Sequence, residues 1–489
     1  MACARGKFGK MFTRSSNDPT QKGLKELDAE ELKQCGQLMG GRMMDMGKGD
    51  NPNMPTGFVP LGQLLAHDIS FDPTPVSEQS IESSNLENLR TPAFDLDSLY
   101  GEGPDLSPHL YEKQKRGRFV LDEGKEFDLP RNSQGTALVG DSRNDSNLLL
   151  AQLHLAFLKF HNAVWEQANS LKDNIRDERG RFEKTQRLVR WHYQWIILRE
   201  FLPCLVGRET VLDVLRYGRK LYREKGPSPA MPLEFSAAAF RFGHSQTHAV
   251  YRINDNSGRL SLFSSKLLCD KRSDLRGGPI SRDYVVNWKY FFNTGAEVAP
   301  LASRDSKKIG TELPGPLLHN TPGQPGEPPS LAVRDLLRGK QRGLLSGQEV
   351  AQAVKNALLD NGILKDADFL DEKDIWEGDF AVFSDRPAPL WYYILKEAEK
   401  KKDGKSLGPV GGRIVAEVII GLLQEDPESF LYEGKGDLDH LTAILTEGTT
   451  KESDGVRWRP ILSVKDDRAN KKGDFSMVDL LTFAKIDTE

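Results

Sequence analysis

The sequence predicts a mostly α fold: a single large helical domain with long loops and few short strands. Helical periodicity of apolar residues is common along the chain, whereas strand-like patterns are confined to residues 118–120 and 380–383. The 489 residues amount to about three domains of typical size. No repeat of about 20–50 residues divides them, which leaves one large domain as the simpler organisation.

Two long helices are predicted in the first half of the chain. Residues 145–170 form the longest candidate, with Asp145 or Ser146 as its cap and most of its leucines on one side. Residues 181–203 form the next, which Pro203 is expected to end. Shorter helices are predicted at 347–361, 388–401 and 411–424.

Segments rich in proline and glycine predict the connecting loops, and the longest irregular loop is expected at 310–330. The other three lie at 48–60, 225–232 and 403–412. Because the helices on both sides of 310–330 are too apolar to stand apart, we expect one domain over residues 31–430. Residues 1–30 are then an N-terminal extension, and residues 431–489 a tail that packs on the same domain.

Charge and hydropathy exclude several classes of protein. The 67 lysines and arginines against 71 aspartates and glutamates give a net charge of 67 − 71 = −4, without the basic surplus that nucleic-acid binding needs. The longest apolar runs, such as 415–423, are too short to span a bilayer. The N-terminal segment lacks the apolar stretch of a signal peptide, so we expect a cytoplasmic protein or one exported without a recognisable signal. The four cysteines include no CxxC pair, which argues against a disulfide scaffold, a thiolate zinc site and an iron–sulfur cluster.

Histidine is scarce, with nine in the chain, and three of them stand out. His67 directly precedes a carboxylate in GQLLAHD, and His244 follows small residues that would let a large group approach. His244 and His248 have the i, i+4 spacing that suits zinc, but no third ligand is evident nearby, so zinc is disfavoured. His154 is expected to be a hydrogen-bonded packing residue. Surface or core-rim positions are expected for His109, His161, His192, His319 and His440.

The segment RTPAFDLDSLYG at 90–101 is rich in oxygen-bearing side chains. Thr91, Asp95 and Asp97 alternate, so an extended or looped backbone would point their oxygens to one side, and Asp68 could add another. Hard oxygen ligands of this kind suit Ca²⁺, which takes six to eight of them. A solvated acidic loop explains the same pattern equally well.

Arg143 is placed unusually, immediately before the predicted helix 145–170. The dipole at the start of a helix disfavours a cation. Such a placement indicates that the guanidinium is held there for another purpose.

Five ordered segments resemble the animal-type haem peroxidases of the peroxidase–cyclooxygenase superfamily, and most closely its short microbial members without a signal peptide. They are GQLLAHDISFDPT (62–74), RTPAFDLDSLYG (90–101), GDSRNDSNLLLAQLHLAFLKFHN (140–162), FRFGHS (240–245) and LAVRDLLRGKQRGLLSGQ (331–348). The resemblance covers roughly residues 30–425. It implies a helical haem-peroxidase domain that binds haem b and Ca²⁺.

The resemblance implies a role for each matching residue. His67 corresponds to the distal histidine, which moves a proton between the two peroxide oxygens, and Arg143 to the distal arginine, which stabilises the departing hydroxide. Gln63 corresponds to the distal glutamine, which holds water or a halide. His244 corresponds to the proximal iron ligand, and Arg241 to the arginine that pairs with a haem propionate.

Further positions follow from the same match. Arg338 corresponds to an arginine near the haem, and His248 has no family role, so it is expected to be structural. The calcium ligands implied are Asp68, Thr91, Ala93 (through its carbonyl), Asp95 and Asp97.

Two departures from the family pattern carry predictions. Mammalian members attach their haem through esters at the positions of Ala66 and Ser146, which cannot form them, so non-covalent haem b is expected; Asp145 is one place away. Asp335 stands where the family usually has an asparagine that accepts from the proximal imidazole. A carboxylate there would make the imidazole more anionic and lower the iron potential, which favours donors such as iodide, bromide, thiocyanate or phenols over chloride.

The resemblance therefore implies a peroxidase that uses hydrogen peroxide to oxidise a small donor through a ferryl intermediate. The oligomeric state does not follow from the sequence, and a monomer is slightly favoured. Two alternatives remain. The first is a fatty-acid dioxygenase of the same superfamily, although those enzymes need a tyrosine at the position of Arg241. The second is a haem- or calcium-binding protein without catalysis, against which the set Gln63, His67, Arg143 and His244 argues.

Overall fold

The computed structural model describes most of the chain. The described ranges are 6–12, 26–40, 49–75, 86–167, 177–223, 230–264, 272–298, 304–319, 321–323, 326–359, 364–432 and 475–486. Helices dominate these ranges, as predicted. The predictions about His440, Cys3 and Cys269, and about most of the tail, fall outside them.

Ten α-helices of seven or more residues are described. They are α1 (Ala29–Leu38), α2 (Phe58–Ile69), α3 (Leu148–Gln167), α4 (Glu178–Ile196), α5 (Arg208–Tyr217), α6 (Leu331–Gln341), α7 (Gly347–Leu358), α8 (Leu390–Lys402), α9 (Pro409–Glu425) and α10 (Met477–Phe483). One long 3₁₀ segment, Ala239–Gln246, lies between α5 and α6 in the chain. Short α-helical turns lie at Asp97–Tyr100, Gly103–Leu106, Leu202–Val206, Leu233–Ser236, Pro316–His319 and Glu372–Ile375.

The strands are short and form three small sheets. In the first, β1 (Gly6–Gly9) lies between β3 (Glu87–Asn88), which is antiparallel to it, and β4 (Ala230–Pro232), which is parallel. The other two are antiparallel pairs: β2 (Asp50–Pro55) with β7 (Asp305–Lys307), and β5 (Val250–Arg252) with β6 (Arg259–Ser261).

Neither of the two predicted strands, at residues 118–120 and 380–383, is observed as a strand. Phe119 makes only an isolated antiparallel bridge with Tyr111. Residues 380–383 lie in a 3₁₀ helix, Gly378–Phe383, so the strand prediction there was wrong. The packing explains the difference, because Phe380 and Phe383 turn toward Tyr392 and Trp376 instead of alternating across a sheet.

Helix α3 lies at the centre of the domain. Sixteen of its 20 residues are buried, so it is enclosed on all sides rather than on the one side that was predicted. Its start also differs, because the Asn147 side chain accepts from the Leu150 N–H at 2.9 Å. The Asp145 carboxylate instead accepts from Arg131, at 2.6 and 2.9 Å.

Helix α4 does not end at Pro203. It passes through a π-helical turn, Ile197–Phe201, into the short helix Leu202–Val206. Pro203 stands in the first turn of that short helix, where its missing N–H needs no intrahelical partner. The helical path ends instead at Gly207, whose φ of +82° favours glycine.

A single hydrophobic core joins residues from both ends of the described chain. Phe8 and Phe12 belong to it, and so do Phe475 and Met477. The described parts of segments 1–30 and 431–489 therefore pack on the domain. The predicted boundaries of those two segments stay a prediction.

The packing around α2 brings distant parts of the sequence together. Helix α2 contacts α3 and the 3₁₀ segment Ala239–Gln246, and the latter also contacts α8 and α9. The predicted loop 310–330 is held from α6 by Arg334, which donates to the carbonyls of Thr321, Pro322 and Pro328. Within the described ranges, we find no helix that is both long and apolar enough to cross a membrane.

Candidate active site

A cavity of about 460 Å³ lies between α2 and the 3₁₀ segment Ala239–Gln246. His67 and His244 both line it, although they are 244 − 67 = 177 positions apart in the sequence. Much of the remaining wall is apolar or aromatic, with the stacked rings of Phe235 and Phe240 on one side. A volume of this size suits a bound organic cofactor or ligand.

On the α2 side, Gln63 and His67 stand one helical turn apart and both face the cavity. Asn147 donates from Nδ2 to Gln63 Oε1 at 2.9 Å, which fixes the amide of Gln63. The Nδ1 atom of His67 lies 2.9 Å from Asn144 Oδ1. Because an amide oxygen only accepts, His67 Nδ1 carries the proton and Nε2 is left for the cavity.

His67 is neutral near neutral pH. Burial, followed by the charge of Arg143, lowers the pKa of His67 to about 4. A neutral imidazole with a bare Nε2 in a cavity is a proton acceptor.

Arg143 is held by four groups. Its Nη1 donates to the Ser70 carbonyl and its Nη2 to the His67 carbonyl, both at 2.9 Å, while Nε and Nη2 donate to Asp141. The guanidinium also lies 4.0 Å from the centre of the Phe71 ring. It thus sits at the carbonyl end of α2, where the helix dipole favours a cation, which accounts for its unusual place in the sequence.

Asp141 anchors this arrangement. Burial alone would raise its pKa, but Arg143 and Arg90 hold the pKa of Asp141 well below its usual range. Both guanidiniums donate to its carboxylate, Arg90 Nε at 3.0 Å and Arg143 Nη2 at 2.7 Å. Asp141 is therefore an anion that fixes the orientation of Arg143.

On the opposite wall, the Nδ1 atom of His244 lies 2.6 Å from Asp335 Oδ2. Asp335 is fully buried on α6, and its other oxygen accepts from Arg241 Nη1 at 2.6 Å. Burial would raise the pKa of Asp335, yet His244 and Arg241 together lower it. The carboxylate is thus ionised and accepts a hydrogen bond from the Nδ1–H of His244, which leaves Nε2 of His244 with its lone pair toward the cavity.

Arg338 shares its carboxylate partner with another arginine. Asp72 Oδ2 lies 3.5 Å from Arg338 Nη1 and 2.5 Å from Arg342 Nη2. The predicted propionate partner Arg241 is bonded to Asp335, and Arg338 donates to the Thr74 carbonyl at 2.7 Å. Burial, followed by the neighbouring charge of Arg241, lowers the pKa of Arg338 to about 10, and its buried Nε has no hydrogen-bond partner. An anionic ligand group beside Arg338 would relieve this repulsion.

Three residues lie at, or next to, the positions where a haem could be attached covalently. Ala66 and Ser146 line the cavity, whereas Asp145 does not and is held by Arg131. Among the described residues that line the cavity, Asp72 is the only carboxylate, and it is paired with both Arg342 and Arg338.

The carboxylates of Asp68, Asp95 and Asp97 converge, with one oxygen of each within 4.8 Å of the others. Of the extended or looped backbone that was predicted between them, the looped form is observed. Leu96 has a φ of +59°, and Asp97 begins a short helical turn. This left-handed residue between them brings the carboxylates of Asp95 and Asp97 together.

This acidic cluster has a strong electrostatic need for a cation. Burial, with the neighbouring carboxylates, raises the pKa of Asp97 to about 7 and that of Asp68 well above its usual value. Both oxygens of Asp97 are buried without a hydrogen-bond partner, and Arg90 approaches one of them only to 3.5 Å. These oxygens fit a hard divalent cation such as Ca²⁺.

Several functional contacts were not predicted from the sequence. Asn144, Asn147 and Asp141 hold the three distal candidates, and Phe8 of the N-terminal strand lines the cavity. The three polar residues all lie in GDSRNDSN, so their position next to Arg143 was the available signal.

Four further histidines are buried away from the cavity: His154, His161, His192 and His248. His154 is buried and bonded to Asn144, as expected, and His248 lies 2.8 Å from the Asp305 carbonyl. His161 and His192 are fully buried, so the prediction of rim or surface positions was wrong for both. His161 on α3 and His192 on α4 lie inside the packed core. The charged residues beside them in the sequence did not indicate this burial.

Comparison with known proteins finds peroxidases. The family model "Animal haem peroxidase" matches residues 73–275. Heme peroxidase 2 of Caenorhabditis elegans is 24% identical over 359 residues, which is 70% of this chain and 48% of that protein. These matches support the membership of the peroxidase–cyclooxygenase superfamily that the sequence motifs imply. The chain spans about half the length of that relative. It is also 30% identical to the chorion peroxidase of Drosophila melanogaster over 182 residues, which is 34% of this chain and 22% of that protein.

Two solved structures share the fold. Peroxidase A of Dictyostelium discoideum aligns with a TM-score of 0.60 at 15% identity and covers 92% of both chains. The fatty acid alpha-dioxygenase of Arabidopsis thaliana aligns with a TM-score of 0.54 at 15% identity, over 83% of this chain and 71% of that one. At this identity the likeness establishes the fold alone.

Proposed function

We propose that the protein is a haem peroxidase that uses hydrogen peroxide to oxidise a small donor. The observation that carries this proposal is the pair of histidines on one cavity. His67 donates its Nδ1–H to a neutral amide and has a low pKa, as a proton acceptor requires. His244 donates its Nδ1–H to a buried carboxylate, as a strong metal ligand requires.

The residues present fit haem b. His244 would hold the iron, Arg338 would face a propionate, and the apolar and aromatic wall would cover the ring. We propose that the haem is not covalently attached, because Ala66 and Ser146 cannot form esters and Asp145 is bound to Arg131 away from the cavity. When bound, haem supplies the iron that takes oxidising equivalents from peroxide and delivers them to the donor.

The distal residues have separate tasks. His67 Nε2 accepts a proton from the incoming peroxide oxygen and returns it to the oxygen that leaves. Arg143, fixed by Asp141, places positive charge beside that leaving oxygen. Gln63 holds a water molecule or a halide beside them, in an orientation that Asn147 sets.

The Asp335 carboxylate bears on the choice of donor. A more anionic His244 stabilises ferric iron and weakens the oxidant, so iodide, bromide, thiocyanate and phenols are favoured over chloride. In the Asp335→Asn variant we expect a higher iron reduction potential and about a 10-fold slower reaction with peroxide, measured by redox titration and stopped-flow absorbance.

Arg241→Gln is the matched control for that prediction. Arg241 bonds to the same carboxylate as His244, so its loss leaves more of the negative charge of Asp335 for His244. The iron reduction potential should therefore fall in Arg241→Gln. An unchanged potential in both variants would contradict the role of Asp335.

We also propose that Asp68, Asp95 and Asp97 bind Ca²⁺, with Thr91 and the Ala93 carbonyl as further ligands. Calcium at a hundredfold excess over its Kd should raise the free energy of unfolding by about 2.7 kcal/mol, measured by thermal melting with and without a chelator. Asp95→Asn should lose most of this response. Asp105→Asn, at an exposed aspartate outside the cluster, should keep it.

A fatty-acid dioxygenase is the second candidate, since such enzymes are among the structural neighbours. Two observations disfavour it. Arg241 stands where a radical tyrosine is needed, and no tyrosine is found among the described residues that line the cavity.

The two candidates differ in their oxidant. With haem added, the full chain should oxidise iodide or guaiacol only when peroxide is present. Oxygen uptake with linoleate in the absence of peroxide would favour the dioxygenase instead. A chain that binds haem and supports neither reaction would leave only a non-catalytic haem protein.

A further inference from the structure

A chain of hydrogen bonds leads from His67 into the core of the domain. His67 Nδ1 lies 2.9 Å from Asn144 Oδ1, and Asn144 Nδ2 lies 3.0 Å from His154 Nδ1. Asn144 and His154 are both fully buried. Neither the family model nor the resemblance assigns a role to these two residues.

The chemistry of an amide fixes the direction of both bonds. The oxygen of Asn144 only accepts, so His67 must donate from Nδ1; the nitrogen of Asn144 only donates, so His154 must accept at Nδ1. Burial keeps His154 neutral by lowering its pKa, and its proton therefore lies on Nε2. That Nε2 is buried without a hydrogen-bond partner.

The unpaired Nε2 of His154 needs an explanation, because buried polar groups are almost always hydrogen-bonded. A histidine that served packing alone would be better replaced by an apolar residue. Holding the Asn144 amide in one orientation is a function that an apolar residue could not supply.

We infer that Asn144 is a positioning residue that sets the tautomer of His67, and that His154 holds Asn144 in the orientation that does so. The inference rests on the proposed function, in which His67 needs a bare Nε2 toward the cavity. If the Asn144 amide were reversed, His67 would carry its proton on Nε2 and could not accept one from peroxide.

The tautomers can be read directly. The haem-loaded full chain in its diamagnetic ferrous carbon monoxide form, with ¹⁵N-labelled histidine, distinguishes protonated from bare ring nitrogens by NMR. We expect His67 to be protonated on Nδ1 and His154 on Nε2. The opposite tautomers in the wild-type protein would overturn the inference, and this test needs no substitution.

Cyanide binding supplies a kinetic test without turnover, since hydrogen cyanide must give up its proton when it binds ferric haem. In Asn144→Ala the competent tautomer is no longer enforced, so cyanide association should slow by about 5- to 10-fold. His154→Phe should slow it as well, whereas His154→Asn, whose Oδ1 takes the place of Nδ1 and can still accept from Asn144, should restore the wild-type rate.

His161→Gln is the matched control, since His161 is also a buried histidine on α3 but bonds to Tyr100 and Gly117 instead. A slowing in His161→Gln equal to that in His154→Phe would show a general effect of core disruption and overturn the inference. Expected tautomers without peroxide turnover would overturn the proposed function alone. Inverted tautomers with full turnover would overturn the positioning role alone.

Discussion

Replacing His67 by alanine should slow the reaction of the ferric enzyme with hydrogen peroxide by about 10²- to 10⁴-fold, the usual contribution of a positioned acid–base group. The physical reason is the loss of the bare Nε2, because no other neutral imidazole among the described residues faces the same side of the cavity. Stopped-flow measurement of the haem absorbance at varied peroxide concentration gives the second-order rate constant.

His109→Ala is the control for this variant, since His109 is an exposed histidine outside the cavity. It should react like the wild type. A rate constant in His67→Ala within about threefold of the wild type would mean that His67 is not the acid–base group, since even a modest one contributes about 100-fold.

Replacing His244 by alanine should weaken haem binding by more than about 100-fold, because losing only an outer-shell partner of a metal ligand can already cost that much. The residual complex should show an altered Soret band. Added imidazole, which can enter the space of the deleted ring, should restore part of the absorbance. Haem titration followed by absorption spectroscopy measures both effects.

His248→Ala is the matched control, four residues further along the chain. Its ring bonds to the Asp305 carbonyl and its substitution should leave the Soret band in place. If His248→Ala lost the haem and His244→Ala kept it, the assignment of the two histidines would have to be exchanged.

The helical class could be predicted because the helical spacing of apolar residues is a local property of the sequence. The sequence could not predict how deeply α3 lies, since leucines on one side suffice for an amphipathic helix and the remaining small and polar residues gave no sign of burial. The end of α4 was misplaced for a related reason. Pro203 normally breaks a helix, but a π-helical turn before it re-phases the chain and lets proline begin a new one.

For the site, the sequence motifs identified four residues that line one cavity: His67, Arg143, Gln63 and His244. The motifs did not identify the groups that hold these residues. The partner of Arg143 at the end of α2 depends on tertiary packing, which local sequence does not contain. Arg241 illustrates the same limit, because Asp335, its partner, lies 94 positions away.

The central claim is that haem b lies between His67 and His244 and is held without a covalent bond. The most direct test is the absorption spectrum of the purified, haem-supplemented full chain before and after acid–butanone extraction. A Soret band that passes entirely into the butanone layer is the predicted result. Absence of a Soret band would contradict haem binding itself, and haem that stays with the protein would contradict its non-covalent attachment.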